Sequence, residues 1–311
     1  MTTRDHDVRL ADGRTLRVQD SGATEAPTVV FFHGTPGCGL LHDRWLAAAA
    51  AAGLRLLAYD RPGYGGSTPQ PDRTVADAAA DVAALADQLQ VGRFAVWGAS
   101  GGGPHALACA ALLPDRVVAA AVAASPAPYD APGLDWFAGL PEMNVQRFKL
   151  ALAGRDALQP VLAQSAQALL AADPAQLIAL SGPVLSPPDR AVFDTDLAAF
   201  LLAVFRDGLA AGAEGWVEDD LAFVAAWGVA LDKVRVPVAV WHGGQDLDVP
   251  ATHGRWLAGA IPGAELRLLL DDGHVSLIFA REREVVGWLA EQLRRAAEQT
   301  TVAHDPAASG A

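Results

Sequence analysis

Three residues can carry chemistry in this chain: Ser100, Asp246 and His274. Ser100 lies in Gly98-Ala99-Ser100-Gly101-Gly102, directly after the apolar run Phe94-Ala95-Val96-Trp97 and directly before Pro104-His105-Ala106-Leu107-Ala108-Cys109-Ala110. That order reads as a strand, a glycine-flanked serine and a helix. A serine hydroxyl is a poor nucleophile until a base takes its proton. A sharp strand-to-helix turn pushes the side chain into the open but strains the serine backbone. The residues two before and two after then come too close for side chains, hence Gly98 and Gly102. N–H groups at the start of the following helix point to the same spot and favour negative charge there. In a chain with 30 glycines the pentapeptide alone is weak evidence; its flanks give it weight.

Such a serine needs a base, and the base needs an orienting acid. A late strand ends in Asp271-Asp272-Gly273-His274, which places His274 in a loop at the carboxyl edge of a sheet. The strand before it ends in His242-Gly243-Gly244-Gln245-Asp246-Leu247-Asp248-Val249-Pro250, which offers acids at 246 and 248. Other histidines have blander readings. His253 begins a helix in a solvated position, His105 lies within the helix after the serine, and His242 closes a buried strand as a satisfied core residue.

The elements that must position these groups follow from periodicity. Residues 6–10 and 15–20 flank Ala11-Asp12-Gly13-Arg14 and predict a hairpin. Residues 28–33 form a continuous apolar run, expected of a strand covered on both faces, and end in Gly34-Thr35-Pro36-Gly37-Cys38-Gly39. A helix over 45–52 leads to a strand over 54–59 and then to Asp60-Arg61-Pro62-Gly63-Tyr64-Gly65-Gly66-Ser67, too rich in Gly and Pro for regular structure. Val75, Ala78, Val82, Leu85 and Leu89 mark an amphipathic helix whose acids, Asp77, Asp81 and Asp87, read as solvated. After the serine-bearing strand, its helix and a further strand over 117–124, prolines interrupt the chain. Helices are then expected over 145–152, 157–171, 191–209 and 221–227. Strands return at 236–241 and 265–270, with helices over 252–260 and 281–295. Strand–helix alternation implies right-handed crossovers and a mostly parallel sheet.

The expected organisation is therefore an α/β core over 1–126 and 233–298, a helical cap over 127–232 inserted after the sixth strand, and a disordered tail over 299–311. An insertion rising from the carboxyl edge is placed to cover a ligand. The chain is 51% hydrophobic with a formal net charge of −13, which argues against nucleic acid or an anionic membrane surface as partner. No stretch approaches the ~20 apolar residues of a membrane span, and the start lacks a secretion-signal pattern, so cytoplasmic residence is expected. Cys38 and Cys109 are isolated and read as packing residues, with no disulfide framework and no metal-type spacing; no cofactor or metal is expected. Oligomeric state, a homo-oligomer included, is not encoded in any of these patterns.

Five segments resemble the α/β-hydrolase fold superfamily, on its esterase and proline iminopeptidase-like side: His33-Gly34-Thr35-Pro36-Gly37, the 60–67 loop, the serine turn, Asp246-x-x-Val249-Pro250 and Gly273-His274. The resemblance covers all but the tail. It implies a Ser100, Asp246, His274 triad, with Asp246 preferred over Asp248 because the family places the acid three before the valine. It also implies an oxyanion hole from the backbone N–H groups of Gly101 and Thr35, with His33 shaping that loop structurally. The implied reaction is two-step acyl transfer on a small, hydrophobic carboxylic ester. Three alternatives stay open: a proline iminopeptidase-type aminopeptidase, a C–C bond hydrolase and a non-catalytic ligand receptor. The first would draw on acids of the insertion, Glu214, Glu218, Asp219 and Asp220, whose bland reading is a solvated face. The second would want a cap cation, for which Arg147, Lys149 and Arg190 are loose candidates.

Overall fold

Side chains alternate across a strand, and here two neighbouring strands feed two separate cores. Val30, Phe32, Phe94 and Val96 pack on one face, whereas Val29, Phe31, Ala95 and Trp97 pack on the other. A sheet buried on both sides needs a helical layer on each, and the computed structural model, which describes residues 3–303, has both. Each large apolar side chain buried this way stabilises the fold by roughly 1.5–3 kcal/mol.

The first strands, β1 (Arg4–Arg9) and β2 (Thr15–Asp20), form the expected hairpin. Then come β3 (Thr28–Phe32), α1 (Asp43–Ala51), β4 (Arg55–Tyr59), α2 (Ala78–Gln88), β5 (Phe94–Ala99), α3 (Gly103–Leu112) and β6 (Val117–Ala123). After the insertion the chain returns as β7 (Val238–Gly243), α10 (Ala251–Ala260), β8 (Glu265–Leu269), α11 (His274–Ala280) and α12 (Glu282–Ala303). The strand order is β1-β2-β4-β3-β5-β6-β7-β8, antiparallel only where β2 meets β1 and β4. The carboxyl ends of β3, β5, β7 and β8 therefore open on one edge.

Between β6 and β7 the described chain forms helices and no strand: α4 (Glu142–Ala153), α5 (Arg155–Ala171), α6 (Pro174–Ser181), α7 (Pro187–Val192), α8 (Thr195–Gly208) and α9 (Glu214–Val224). The single helix expected over 191–209 is two, because Asp194 leaves the helix and caps α8 by accepting the Leu197 N–H at 2.9 Å. The unexpected α6 opens on an Asp173 capping box with Pro174 in its first turn. Leu197, Ala198 and Leu202 of α8 join the core beneath α1, which ties the insertion to the sheet layer.

Three further expectations need correction. Residue 274 opens α11 rather than lying in a loop, since the Ser276 hydroxyl accepts the Gly273 N–H at 2.8 Å and starts a helix there. The closing helix runs through Ala303, past the boundary expected at 298, and residues 304–311 of the expected tail lie outside the described residues. Asp81 is buried rather than solvated, paired at 2.7 Å with Arg14 of the opening hairpin. No helix among the described residues is long and apolar enough to cross a membrane.

Candidate active site

Ser100 follows β5 and has a φ of 51°, the left-handed conformation that a side chain adopts only under strain. The flanking glycines permit it. A Cβ at Gly98 would lie 2.6 Å from the Gly102 carbonyl oxygen, and one at Gly102 would collide with the Phe32 carbonyl. The loop after β3 runs beside this turn. A Cβ at Gly34 would sit 3.5 Å from the Ser100 Cβ, and the Thr35 side chain abuts Gly101. Thr35 and Gly101, expected to share a role through their N–H groups, are thus brought together beside Ser100.

The loop after β7 presents Asp246. One carboxylate oxygen accepts the backbone N–H groups of Asp248 and Val249 at 2.9 and 2.8 Å, which explains the three-residue spacing to the valine. The other lies 2.9 Å from His274 Nδ1. Asp248 faces the opposite side of the ring, its Oδ2 3.7 Å from Nε2. Burial of the imidazole opposes its charge most strongly, but Asp246, Asp248 and Asp189 together outweigh it and raise His274 to about 9. No hydrogen bond joins the Ser100 hydroxyl to the imidazole among the described residues. Both side chains line one cavity of about 180 Å³, walled by Phe31, Trp45, Phe200, Val204, Ile278 and Phe279. A second cavity of about 50 Å³ shares Thr35, Ser100 and Asp248 with it and continues toward Trp136, Asn144, Arg147 and Phe148. A wider depression of about 640 Å³ meets the first at Leu40, Phe200 and Phe279 and contains none of Ser100, Asp246 or His274.

Two aspartates of the insertion grip the loops that carry this arrangement: Asp189, which the sequence did not single out, and Asp219, which it offered only as a substrate-amine ligand or a solvated acid. Asp189 of α7 is fully buried and accepts the backbone N–H groups of His274 at 3.1 Å and Ser276 at 2.8 Å. Asp219 of α9 is 0% exposed and sits between Arg61 at 2.6 Å and Arg73 at 2.5 Å, themselves 1% and 3% exposed. It also accepts the hydroxyls of Thr35 at 2.5 Å and Tyr64 at 2.9 Å. Burial disfavours the Asp219 charge, yet the two guanidinium groups hold its pKa well below the usual carboxylate range. Arg61 in turn donates to the His33 and Gly34 carbonyls and to the Thr35 hydroxyl. The expected solvated face is therefore wrong for three of its four acids. Glu218 pairs with Arg155 at 2.7 Å, Asp219 with the two arginines, and Asp220 lies 3.3 Å from Arg147; only Glu214 is exposed. Arg61 and Arg73 are the available signal, because arginines in a buried loop need carboxylates from somewhere.

Three of the other histidines lie as neutral structural groups. His33 has Nδ1 2.7 Å from the Gly34 carbonyl and accepts the Arg61 N–H at Nε2, in line with its shaping role; burial and the Arg61 charge hold its pKa well down. His242 closes β7 with Nε2 2.9 Å from the Val249 carbonyl, though its Nδ1 has no partner. His105 is buried in α3 against the Gly101 carbonyl, and burial pushes it down to about 3. His253 is not solvated but 0% exposed. It accepts the Ala127 N–H and meets the Trp136 carbonyl, both on the chain leaving β6.

Cys38 and Cys109 are buried free thiols. Cys38, Asp60 and Asp207 do bring ligand-type atoms within 4.8 Å of one another. Asp60 is already committed to the Gly39 and Gly66 N–H groups, and Asp207 to Arg17.

A family model described as alpha/beta hydrolase fold matches residues 27–280. The chain is 30% identical over 252 residues to a bifunctional esterase/perhydrolase DCH from Acinetobacter calcoaceticus, covering 78% of this chain and 83% of that one. It is 33% identical over 116 residues to an epoxide hydrolase from Caballeronia sordidicola, covering 36% and 34% respectively. The chain spans between about a third and two thirds of the length of the curated relatives it matches first. Among solved structures, an enol-lactonase from Burkholderia xenovorans LB400 superposes with a TM-score of 0.64 at 26% identity, over 91% of this chain and 98% of that one. The family model spans β3 to β8 and the superposition covers 91% of the chain: the chain belongs to the alpha/beta hydrolase fold family, which supports a hydrolase.

Proposed function

We propose that this protein cleaves a carboxylic ester through an acyl-enzyme, with Ser100 as nucleophile, His274 as base and Asp246 as its orienting acid. One observation carries the reading. The strained Ser100 backbone aims its hydroxyl into the cavity that His274 also lines, while the far nitrogen of that imidazole is tied to a buried carboxylate. A serine on this turn also departs from epoxide-opening chemistry on related folds, which uses a carboxylate nucleophile there.

In the first step Ser100 Oγ attacks the ester carbonyl and passes its proton to His274 Nε2. Asp246 stabilises the imidazolium and keeps Nε2 turned toward the serine. The negative charge on the former carbonyl oxygen meets the N–H groups of Gly101 and Thr35, and each such donor contributes roughly 2.7–4 kcal/mol to the transition state. His274 returns its proton to the leaving alcohol. Water, deprotonated by the same nitrogen, then releases the acid. The aromatic walls of the larger cavity suit a hydrophobic arm of the substrate. The aminopeptidase alternative loses three of its four supporting acids, because Glu218, Asp219 and Asp220 all face arginines and only Glu214 is exposed.

The test is labelling with a fluorophosphonate, followed by turnover of p-nitrophenyl esters of rising chain length. Stoichiometric label on Ser100 and ester turnover are expected. Ser100→Ala should abolish the label and lower kcat by at least about 10⁴-fold with an unchanged melting temperature. Absence of label, or ester turnover that survives Ser100→Ala, refutes the proposal.

A further inference from the structure

The smaller cavity beside Ser100 bears on the substrate class, an inference that rests on the ester-hydrolase reading. Its apolar walls include Trp136, Phe148 and Phe223, and its polar side is formed by Asn144 and Arg147 of α4. Arg147 is held in place. Its Nε lies 3.3 Å from Asp220 Oδ2, and its guanidinium lies over the rings of Phe148 and Trp216, 4.6 and 5.9 Å from their centres. Yet the pair is poorly made as a structural ion pair. Neither Arg147 Nε nor either oxygen of the fully buried Asp220 has a hydrogen-bond partner. No protein acceptor takes the two terminal nitrogens of Arg147 among the described residues. A desolvated pair with such geometry contributes little that packed apolar groups would not. What it does supply is a cation of fixed direction, with donors to spare, on the wall of a cavity that reaches the nucleophile.

We propose that the substrate carries a short anionic arm, a carboxylate close to the scissile ester, that enters this cavity and is bound by the guanidinium of Arg147, while its apolar arm fills the larger cavity. A volume of about 50 Å³ suits a group of this size, since one water takes roughly 30 Å³ in the liquid. Paired donors on one guanidinium match the two oxygens of a carboxylate. Asp248 borders both cavities, but its carboxylate is engaged by the Asn144 amide at 2.6 Å and turned toward His274. Asp220, pushed up by burial to about 7 against the pull of Arg147, can take up a proton as the anion arrives. His253, also on this wall, is held neutral at about 4 by burial.

Two pairs of isosteric esters test the idea on the intact protein. Hexyl hydrogen succinate against hexyl isocaproate places the charge on the acyl side; hexanoyl glycolate against isobutyl hexanoate places it on the alcohol side. The wild type should favour the anionic member of at least one pair by about tenfold or more in kcat/KM. Arg147→Met should erase that preference by lowering kcat/KM for the anionic ester about tenfold more than for its neutral partner, and Arg147→Lys should restore part of it. Loss of Arg147 leaves Asp220 free to become neutral, and a melting curve checks that each variant is folded. Preference for the neutral ester in both pairs overturns the inference, as does a preference that survives Arg147→Met. Fluorophosphonate label with turnover of neutral esters alone means that this inference fails and the ester reading stands. No label and no turnover of any ester means that the underlying reading has failed, and the inference with it.

Discussion

Replacing Asp219 by asparagine keeps the shape of the side chain and removes the charge that two buried arginines share. Oδ1 accepts from Arg61 Nε and Arg73, and Oδ2 accepts from Arg61 Nη2, Tyr64 and Thr35. An amide would turn its NH₂ group away from Arg61 Nε and Arg73 toward the other side, where it still meets the Arg61 Nη2 donor and where the Tyr64 and Thr35 hydroxyls must turn round to accept. Taking one partner from a buried ion pair costs about 3–5 kcal/mol, because the remaining charge stays desolvated. With a melting temperature that moves by roughly 2–4 °C per kcal/mol in large domains, Asp219→Asn should lower the midpoint on the order of 10 °C. The variant should also lose kcat by about tenfold to a hundredfold well below that midpoint, with little change in KM. The reason is that the Thr35 hydroxyl loses its acceptor and the loop carrying the proposed oxyanion donor shifts. Thr35→Val separates the two effects: it removes only the hydroxyl, so it should show the kcat loss with a smaller cost of about 1.5–3 kcal/mol. Circular dichroism melts and ester kinetics read both quantities. An Asp219→Asn protein that melts within about 2 °C of the wild type, or that keeps full kcat, would refute this reasoning.

The remaining predictions concern the imidazole and its mount. As the proposed base His274 must be neutral, so with its pKa raised to about 9, kcat/KM should climb about tenfold per pH unit up to that point. Asp248→Asn removes one of the carboxylates that favour the imidazolium and should move this acid limb to lower pH; a limb that stays put, or rises, contradicts the assignment of Asp248. Asp189→Asn sets an amide against the His274 and Ser276 N–H groups, at a cost of about 1–3 kcal/mol. Hydrogen exchange at Ser276 should accelerate while α3 amides keep their protection, and equal acceleration in both places would show that the effect is not local.

Features encoded within a few residues are legible in the sequence itself. The serine turn is one, since Gly98 and Gly102 are required by contacts within the turn or with the adjacent strand. The chain order of Ser100, Asp246 and His274 is another, set by the strand after which each falls. Features that periodicity misreads depend on partners far along the chain. Asp81 meets Arg14 across 67 residues and Asp219 meets Arg61 across 158, and a helical repeat says which residues share a face, not what that face meets. Residue 253 escapes a local reading for the same reason, because its partners Ala127 and Trp136 lie in the chain leaving the sixth strand. The fused expectation for α7 and α8 reflects apolar residues that continue the spacing across Asp194, where a cap ends one helix and opens another.

The anchoring of Asp189 and Asp219 limits how this chain could be recombined. A chimaera that kept the sheet and borrowed the 124–237 segment of another family member would inherit a roof without its two bolts. Arg61 and Arg73 would be left without a counter-charge beneath it, and the backbone entering α11 would lose its acceptor. Transplanting specificity here means carrying both aspartates across with the graft, or rewriting the arginines below them at the same time.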